Sequence, residues 1–234
     1  MLKDITTRSL NKKKIAVTTC EPSLDELLKA LLQLWQFEVH DPAEASALLL
    51  AESGCAEPVA GQDVIWLNTD SGGAELGFSL PLEPEAFWQA LEQRFHRPPR
   101  KHIRLDVDLP ALISARDEKK EAVLTSLSDM GCRFSYHREL APNESVSFEF
   151  SLEGELLTFD SRIIYAMAYS DTSDSPFRAG ALFSGINAEQ RARISDYLIG
   201  CYLELVRGEM PAEIFNEGLR FLELSEKVRV KLSA

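Results

Sequence analysis

The chain has 234 residues, 45% of them hydrophobic and 26% charged, with a formal net charge of -12. That composition fits a globular protein of one or two domains. The acid excess excludes general affinity for nucleic acid polymer, which needs a broad cationic surface. Apolar runs such as LLKALLQLW (27–35) are too short and too interrupted for a membrane span. The opening MLKDITTRSLNKKK has charge without a following apolar stretch, so no signal peptide is expected and the cytoplasm is the expected compartment.

In chain order, residues 1–11 are polar, and KKIAVTT (13–19) reads as a buried strand. Glu21-Pro22-Ser23 is a helix start, with Ser23 as N-cap and Glu26 three residues later. Leu24, Leu27, Leu28, Leu31, Leu32 and Trp35 follow at helical spacing. Phe37–His40 reads as a short strand. Asp41-Pro42 opens a second expected helix, to about Ser53, with Gly54 as its stop. DVIWLN (63–68) is a further strand, 69–77 a loop and Phe78–Leu80 a short strand. PEAFWQALEQRF, from Pro84, is a helix ending at His96. Strand and helix alternate, so the first half is expected to be an α/β unit with a parallel sheet.

The four cysteines (Cys20, Cys55, Cys132 and Cys201) form no C-x-x-C pair, and reduced, buried thiols are expected. His40, His96, His102 and His137 show no i, i+4 pairing and no cysteine neighbours, so no metal site is expected.

Residues 13–95 resemble a receiver domain of two-component signalling. IAVTTCEP (15–22) resembles its first strand and acidic turn, VIWLN (64–68) the strand that ends in the phosphoacceptor, and SLPLEPEAFWQAL (79–91) the last strand and helix. Thr19, Cys20 and Asn68 stand at the carboxylate positions, and Leu80 where the family places lysine. The resemblance therefore implies a truncated, degenerate receiver with neither a magnesium cage nor an acceptor. Asp63 and Asp70, the nearest acids, read as a strand-edge and a turn residue. Helix 23–35 would serve as a docking surface, and a homodimer is one such arrangement.

After Pro98-Pro99 the pattern changes. Leu105–Leu109, Cys132/Phe134, Val146/Phe148/Phe150 and Leu157/Phe159 alternate with period two, and Ile163–Ala168 and Ala179–Phe183 are further strands. Pro110, Gly131, Pro142-Asn143, Gly154 and Ser175-Pro176 punctuate them, which suggests a small antiparallel barrel. Asn187 then caps a helix ended by Gly208, and a last helical segment runs from Pro211 to about Arg229.

Between Gln93 and Leu105 the acidic chain collects Arg94, Arg97, Arg100, Lys101 and Arg104 with no Asp or Glu. Arg100-Lys-His-Ile-Arg104 forms an R-x-x-x-R signature. Ser126-Leu-Ser128-Asp-Met-Gly131, starting 22 residues after Arg104, matches [D/N]-x-S-x-x-G except at its first position. On these two motifs, residues 97–205 resemble a PilZ domain, the bacterial receptor for cyclic di-GMP.

The resemblance implies three segments: a degenerate receiver-like α/β domain at 12–95, a PilZ β-barrel with its closing helix at 97–205, and a C-terminal helical extension at 206–234. It also implies that Arg100, Arg104, Ser126, Ser128 and Gly131 bind cyclic di-GMP, with Arg97 and Lys101 as auxiliaries. A guanidinium can fork onto guanine O6 and N7 or clamp a phosphate. Serine at 126 gives up a charge-assisted hydrogen bond, worth about 1.5–3 kcal/mol. No nucleophile–base pair or phosphate loop is present, so an enzyme is not expected, nor a cofactor beyond the ligand. The expected function is a second-messenger receptor whose ligand orders the basic linker and acts on a downstream protein. The alternative is a ligand-independent PilZ-fold adaptor working through protein contacts in motility or pilus function.

Overall fold

The computed structural model describes residues 13–44, 47–55, 57–67, 77–116, 118–169 and 176–233. The segments 1–11 and 69–76, together with Asn68 and Asp70, lie outside the described residues. The chain divides into two compact units: Met1–Pro99 with Tyr202–Ser225, and Arg100–Cys201 with Glu226–Ala234. The expected extension 206–234 is thus shared between them.

The first unit holds β1 (Lys14–Thr18), α1 (Pro22–Leu34), β2 (Glu38–His40), β3 (Leu48–Glu52), β4 (Val64–Leu67), β5 (Gly77–Phe78) and α2 (Pro84–Phe95). The strands form one parallel sheet in the order β2-β1-β3-β4-β5. In this doubly wound order the direction of strand addition reverses beside β1, and ligands of such sheets sit at the carboxyl ends of the strands there.

Two expectations fail in this unit. Among the described residues between Pro42 and Ser53 there is no helix. The second half of that span is β3, buried along its whole length. The run Leu48-Leu49-Leu50-Ala51 is apolar on both faces, as a central parallel strand requires, and such a run cannot be told from a buried helix by periodicity. Ser23 is not the N-cap of α1. Glu21 takes that place with Pro22 at the first helical position, and Ser23 is buried.

The apolar face of α1 is not a free docking surface. Leu24, Leu27, Leu28, Leu31 and Leu32 are buried, and α4 (Ala212–Gly218) packs against the helix from the same unit. Trp35 meets Phe87 at 6.2 Å and Tyr202 edge-on at 6.4 Å.

The second unit is a closed barrel of six antiparallel strands: β6 (Leu105–Ala115), β7 (Glu118–Ser128), β8 (Gly131–Tyr136), β9 (Ser145–Leu152), β10 (Glu155–Ala168) and β11 (Phe177–Phe183). Around the barrel they run β10-β11-β8-β7-β6-β9, and closure removes every edge. The inward positions of the alternating pattern fill it with Phe134, Phe148, Phe150, Phe159 and Phe183 among others. Phe134 meets Phe148 edge-on at 5.0 Å, and Phe159 stacks on Phe183 at 4.6 Å. The segments 157–159 and 163–168 belong to the single long strand β10.

α3 (Ala188–Glu209) follows, with a reciprocal cap: Gln190 N–H donates to Asn187 Oδ1 and Asn187 N–H to Gln190 Oε1. The last helical segment is broken. Between a 3₁₀ turn at Leu219–Phe221 and α5 (Glu226–Ser233), the backbone of 221–223 pairs with Leu82: Leu82 N–H donates to Phe221 O, and Glu223 N–H to Leu82 O. No helix among the described residues is long and apolar enough to cross a membrane.

Candidate functional site

The site is built on the outer face of the barrel. Cys132 and Phe134 point into the core, so Arg133 between them points out. Arg133 pairs across β8 with Ser126 of β7 on one side and with Gly180 of β11 on the other; Gly180 in turn pairs with Tyr165 of β10. Ser126, Arg133, Gly180 and Tyr165 therefore form one cross-strand row.

Two irregularities in strand register aim this row, one between Leu124 and Ser126 and one between Ile163 and Tyr165. Leu124 and Leu127 both reach the core, three residues apart, because the first shift adds a residue between them. Such bulges re-aim side chains beside functional sites. Gly180 makes room at the centre: a Cβ there would lie 2.5 Å from the Tyr165 ring.

Arg104, one residue before β6, closes the row. A pocket of about 130 Å³ is lined by Arg104, Ser126, Gly131, Arg133, Tyr165 and Gly180, with Leu182 and Ile164 at its apolar side. Pockets that enclose a drug-sized ligand run to about 300–1,000 Å³. This one is smaller than that.

The electrostatics are those of an anion site. Arg104 remains open to solvent, yet its pKa is held below the ordinary arginine value. Burial of its guanidinium is the first cause, followed by the charges of Arg133 and Arg100, with Tyr165 opposing. The group stays protonated. The lowering reports burial first and the neighbouring positive charges second.

The basic segment is tied down between its arginines. Ile103 is buried. His102 Nδ1 lies 2.9 and 3.1 Å from the two carboxylate oxygens of Asp129, a residue only 4% exposed. Arg191 Nε stands 4.0 Å from the same carboxylate. Asp129 thus anchors the segment from the β7–β8 turn, leaving Arg100 and Lys101 exposed.

The structure brings together Arg104, Ser126 and Gly131, with Arg100 near enough for its charge to act on Arg104. It does not bring Ser128 into the pocket lining. That hydroxyl is buried and donates to the Gly131 carbonyl at 3.0 Å, closing the turn. Gly131 has a packing reason of its own, since a Cβ there would lie 2.2 Å from the Ala181 carbonyl oxygen. Arg97 is exposed and belongs to the first unit.

Arg133, Tyr165 and Gly180 escaped the sequence reading. An isolated glycine inside the strand FRAGALF was the available signal, because it marks close approach of another group. The thiol expectation is corrected as well: Cys20 and Cys55 are joined in a disulfide, while Cys132 and Cys201 are free. The partners are 35 residues apart in sequence, and only the adjacency of β1 and β3 brings them together.

The second unit is thus a closed six-stranded antiparallel barrel with a closing helix, preceded by a basic segment and bearing a pocket lined by Arg104 and Arg133 on its outer face. Residues 98–200 match the family model of the PilZ domain, and this part of the chain is a PilZ domain. Among solved structures, the chain is similar to the inhibitor of motility (MotI/DgrA) of Bacillus subtilis, at 17% identity and TM-score 0.40, covering 45% of this chain and 52% of that one. It is similar to the PilZ domain of CeSA from a cellulose-synthesizing bacterium, at 20% identity and TM-score 0.33, covering 42% and 97%. It is also similar to MrkH of K. pneumonia in its complex with c-di-GMP, at 17% identity and TM-score 0.40, covering 47% and 55%. The match spans about half the length of the first and third of these chains. No curated protein matches the chain.

Proposed function

We propose that the protein is a non-enzymatic receptor for cyclic di-GMP, and that the ligand lies in the outer-face pocket beneath the 100–104 segment. One observation carries this reading. Two signatures separated by 22 residues in sequence, R-x-x-x-R and S-x-S-x-x-G, converge through Arg104, Ser126 and Gly131 on one cationic pocket. The matching PilZ family model over the same residues supports it.

The chemistry suits a ligand with two phosphates and two guanines. Arg104, and with it Arg100, can fork onto a guanine edge or a phosphate. Arg133 adds charge from the floor, and the Tyr165 ring offers a stacking face. Ser126 offers one hydroxyl where the family carries a carboxylate or amide. Ser128 acts indirectly by holding the turn. Arg97 and Lys101, both exposed, are available as auxiliary phosphate contacts.

Because the pocket covers only part of such a ligand, the 100–104 segment gains contacts in the bound state that it lacks in the free state. That difference orders the exposed start of the segment, Arg100 and Lys101, and carries the signal to a downstream protein. Ser126 itself favours a second reading, an adaptor that keeps the fold and works through protein contacts alone. The discriminating experiment compares variants: Arg100→Ala and Arg104→Ala should each lose most cyclic di-GMP binding, while Ser128→Ala retains it. Unchanged affinity in both arginine variants overturns the site, and absence of binding by the unmodified protein favours the adaptor.

A further inference from the structure

Cys20 follows β1, Glu52 ends β3, and Cys55 lies in the turn just beyond. They meet at the carboxyl ends of the two strands that flank the reversal in strand order, where doubly wound sheets place their ligands. The two sulfurs and a Glu52 carboxylate oxygen all lie within 4.8 Å of one another. The cysteine Cα atoms are 5.5 Å apart, within the span a disulfide bridges. Glu52 is 7% exposed, whereas Cys20 is exposed and Cys55 half-buried. Cys20 N–H donates to Glu52 Oε2 at 2.8 Å, which fixes the carboxylate beside the sulfurs.

We propose that reduction of the Cys20–Cys55 disulfide opens a zinc-binding site made of the two thiolates and the Glu52 carboxylate. A dithiol reductant breaks the S–S bond and delivers two electrons and two protons to the sulfurs, itself becoming a disulfide. Zn²⁺ then binds and releases both thiol protons. Three anionic ligands this close repel one another, and a divalent cation relieves the repulsion. Thiolate pairs select a borderline-soft ion such as zinc over magnesium or calcium. With bonds of about 2.0–2.3 Å, tetrahedral ligation places ligand atoms roughly 3.5–3.8 Å apart, so the two sulfurs must move apart from bonding distance once reduced, and a fourth position is left for water or another ligand. A disulfide oxidant closes the site: it takes two electrons from the thiolates and becomes a dithiol, the S–S bond re-forms, and Zn²⁺ is released. The inference is independent of the barrel pocket.

The test is titration of the full chain with Zn²⁺ against a chromophoric chelator, after reduction and removal of the reductant. The reduced chain should take up one equivalent and the oxidised chain none. Cys20→Ser and Cys55→Ser should lose uptake, Glu52→Gln should weaken it by at least about tenfold, and Cys132→Ser and Cys201→Ser should bind as the unmodified chain does. Co²⁺ in place of zinc should show thiolate-to-cobalt charge transfer with the intensity of two thiolates. Should a serine variant fail to fold, that cobalt spectrum of the unmodified chain decides. No uptake by the reduced chain, undiminished uptake without Cys20 and Cys55, or a cobalt spectrum without thiolate character overturns the site.

Discussion

Arg104→Ala separates binding from folding more sharply than any other single change. A guanidinium forked onto a phosphate or guanine makes two charge-assisted hydrogen bonds, each worth about 1.5–3 kcal/mol. Against this, the free protein is relieved of crowding among Arg104, Arg133 and Arg100, the charges that lower the Arg104 pKa together with its burial. At solvent-like screening that relief is about 1 kcal/mol. The net loss is about 2–5 kcal/mol, or roughly thirtyfold to a few thousandfold in affinity. Fluorescence polarisation with a labelled cyclic di-GMP reads the change directly. Salt should weaken the unmodified protein's binding by screening, and should weaken the variant's less. The melting temperature should stay within about 4 °C, because Arg104 lies at the surface and takes no part in the barrel core. An affinity within threefold of the unmodified protein, with an intact melt, would refute the assignment of Arg104 to the ligand.

Three other expectations follow from named contacts. Ser126→Asp should keep or strengthen binding by up to about tenfold, since a carboxylate there faces Arg133 and Arg104 and can accept from guanine; a tenfold loss with unchanged circular dichroism would show a pocket shaped around a small residue. Gly131→Ala should cost about 1–3 kcal/mol, because the added methyl meets the Ala181 carbonyl oxygen at 2.2 Å; an unchanged thermal melt would contradict it. Glu144→Gln should cost about 1–2 kcal/mol near neutral pH. Burial works to raise the Glu144 pKa, but the Ala141 N–H and the Arg138 and Arg116 guanidiniums outweigh it and hold it below 4.5. A depressed folded-state pKa contributes stability above the unfolded value that is lost as pH falls through the folded one. The variant's melting temperature should therefore change less with acid than the unmodified protein's, and parallel acid limbs would exclude the contribution.

The barrel was legible because its strands alternate and its turns carry glycine or proline. Phe134, Phe148 and Phe150 announced an inner face, and Gly131 a turn. Both signatures were legible as spacing. The site's floor was not: Arg133 and Tyr165 reach the pocket through strand register and two bulges, which no local pattern shows. Nor did the sequence disclose that Asp129 would hold His102, because the contact joins residues 27 apart across the β7–β8 turn. In the first unit, β3 hid behind Asp41-Pro42, a good helix start whose signal is local, while burial on both sheet faces is not. The Cys20–Cys55 pairing depends wholly on which strands become neighbours.

The central claim is that an acidic protein concentrates positive charge at one barrel pocket to hold cyclic di-GMP. Isothermal titration of the full, unmodified chain with cyclic di-GMP tests it most directly. Saturable binding well below 1 mM, where the free energy is about -4 kcal/mol, weakened by added salt and abolished together with Arg100 and Arg104, is the expected result. No binding heat up to about 1 mM at several temperatures, from a chain whose circular dichroism shows it folded, would contradict the claim.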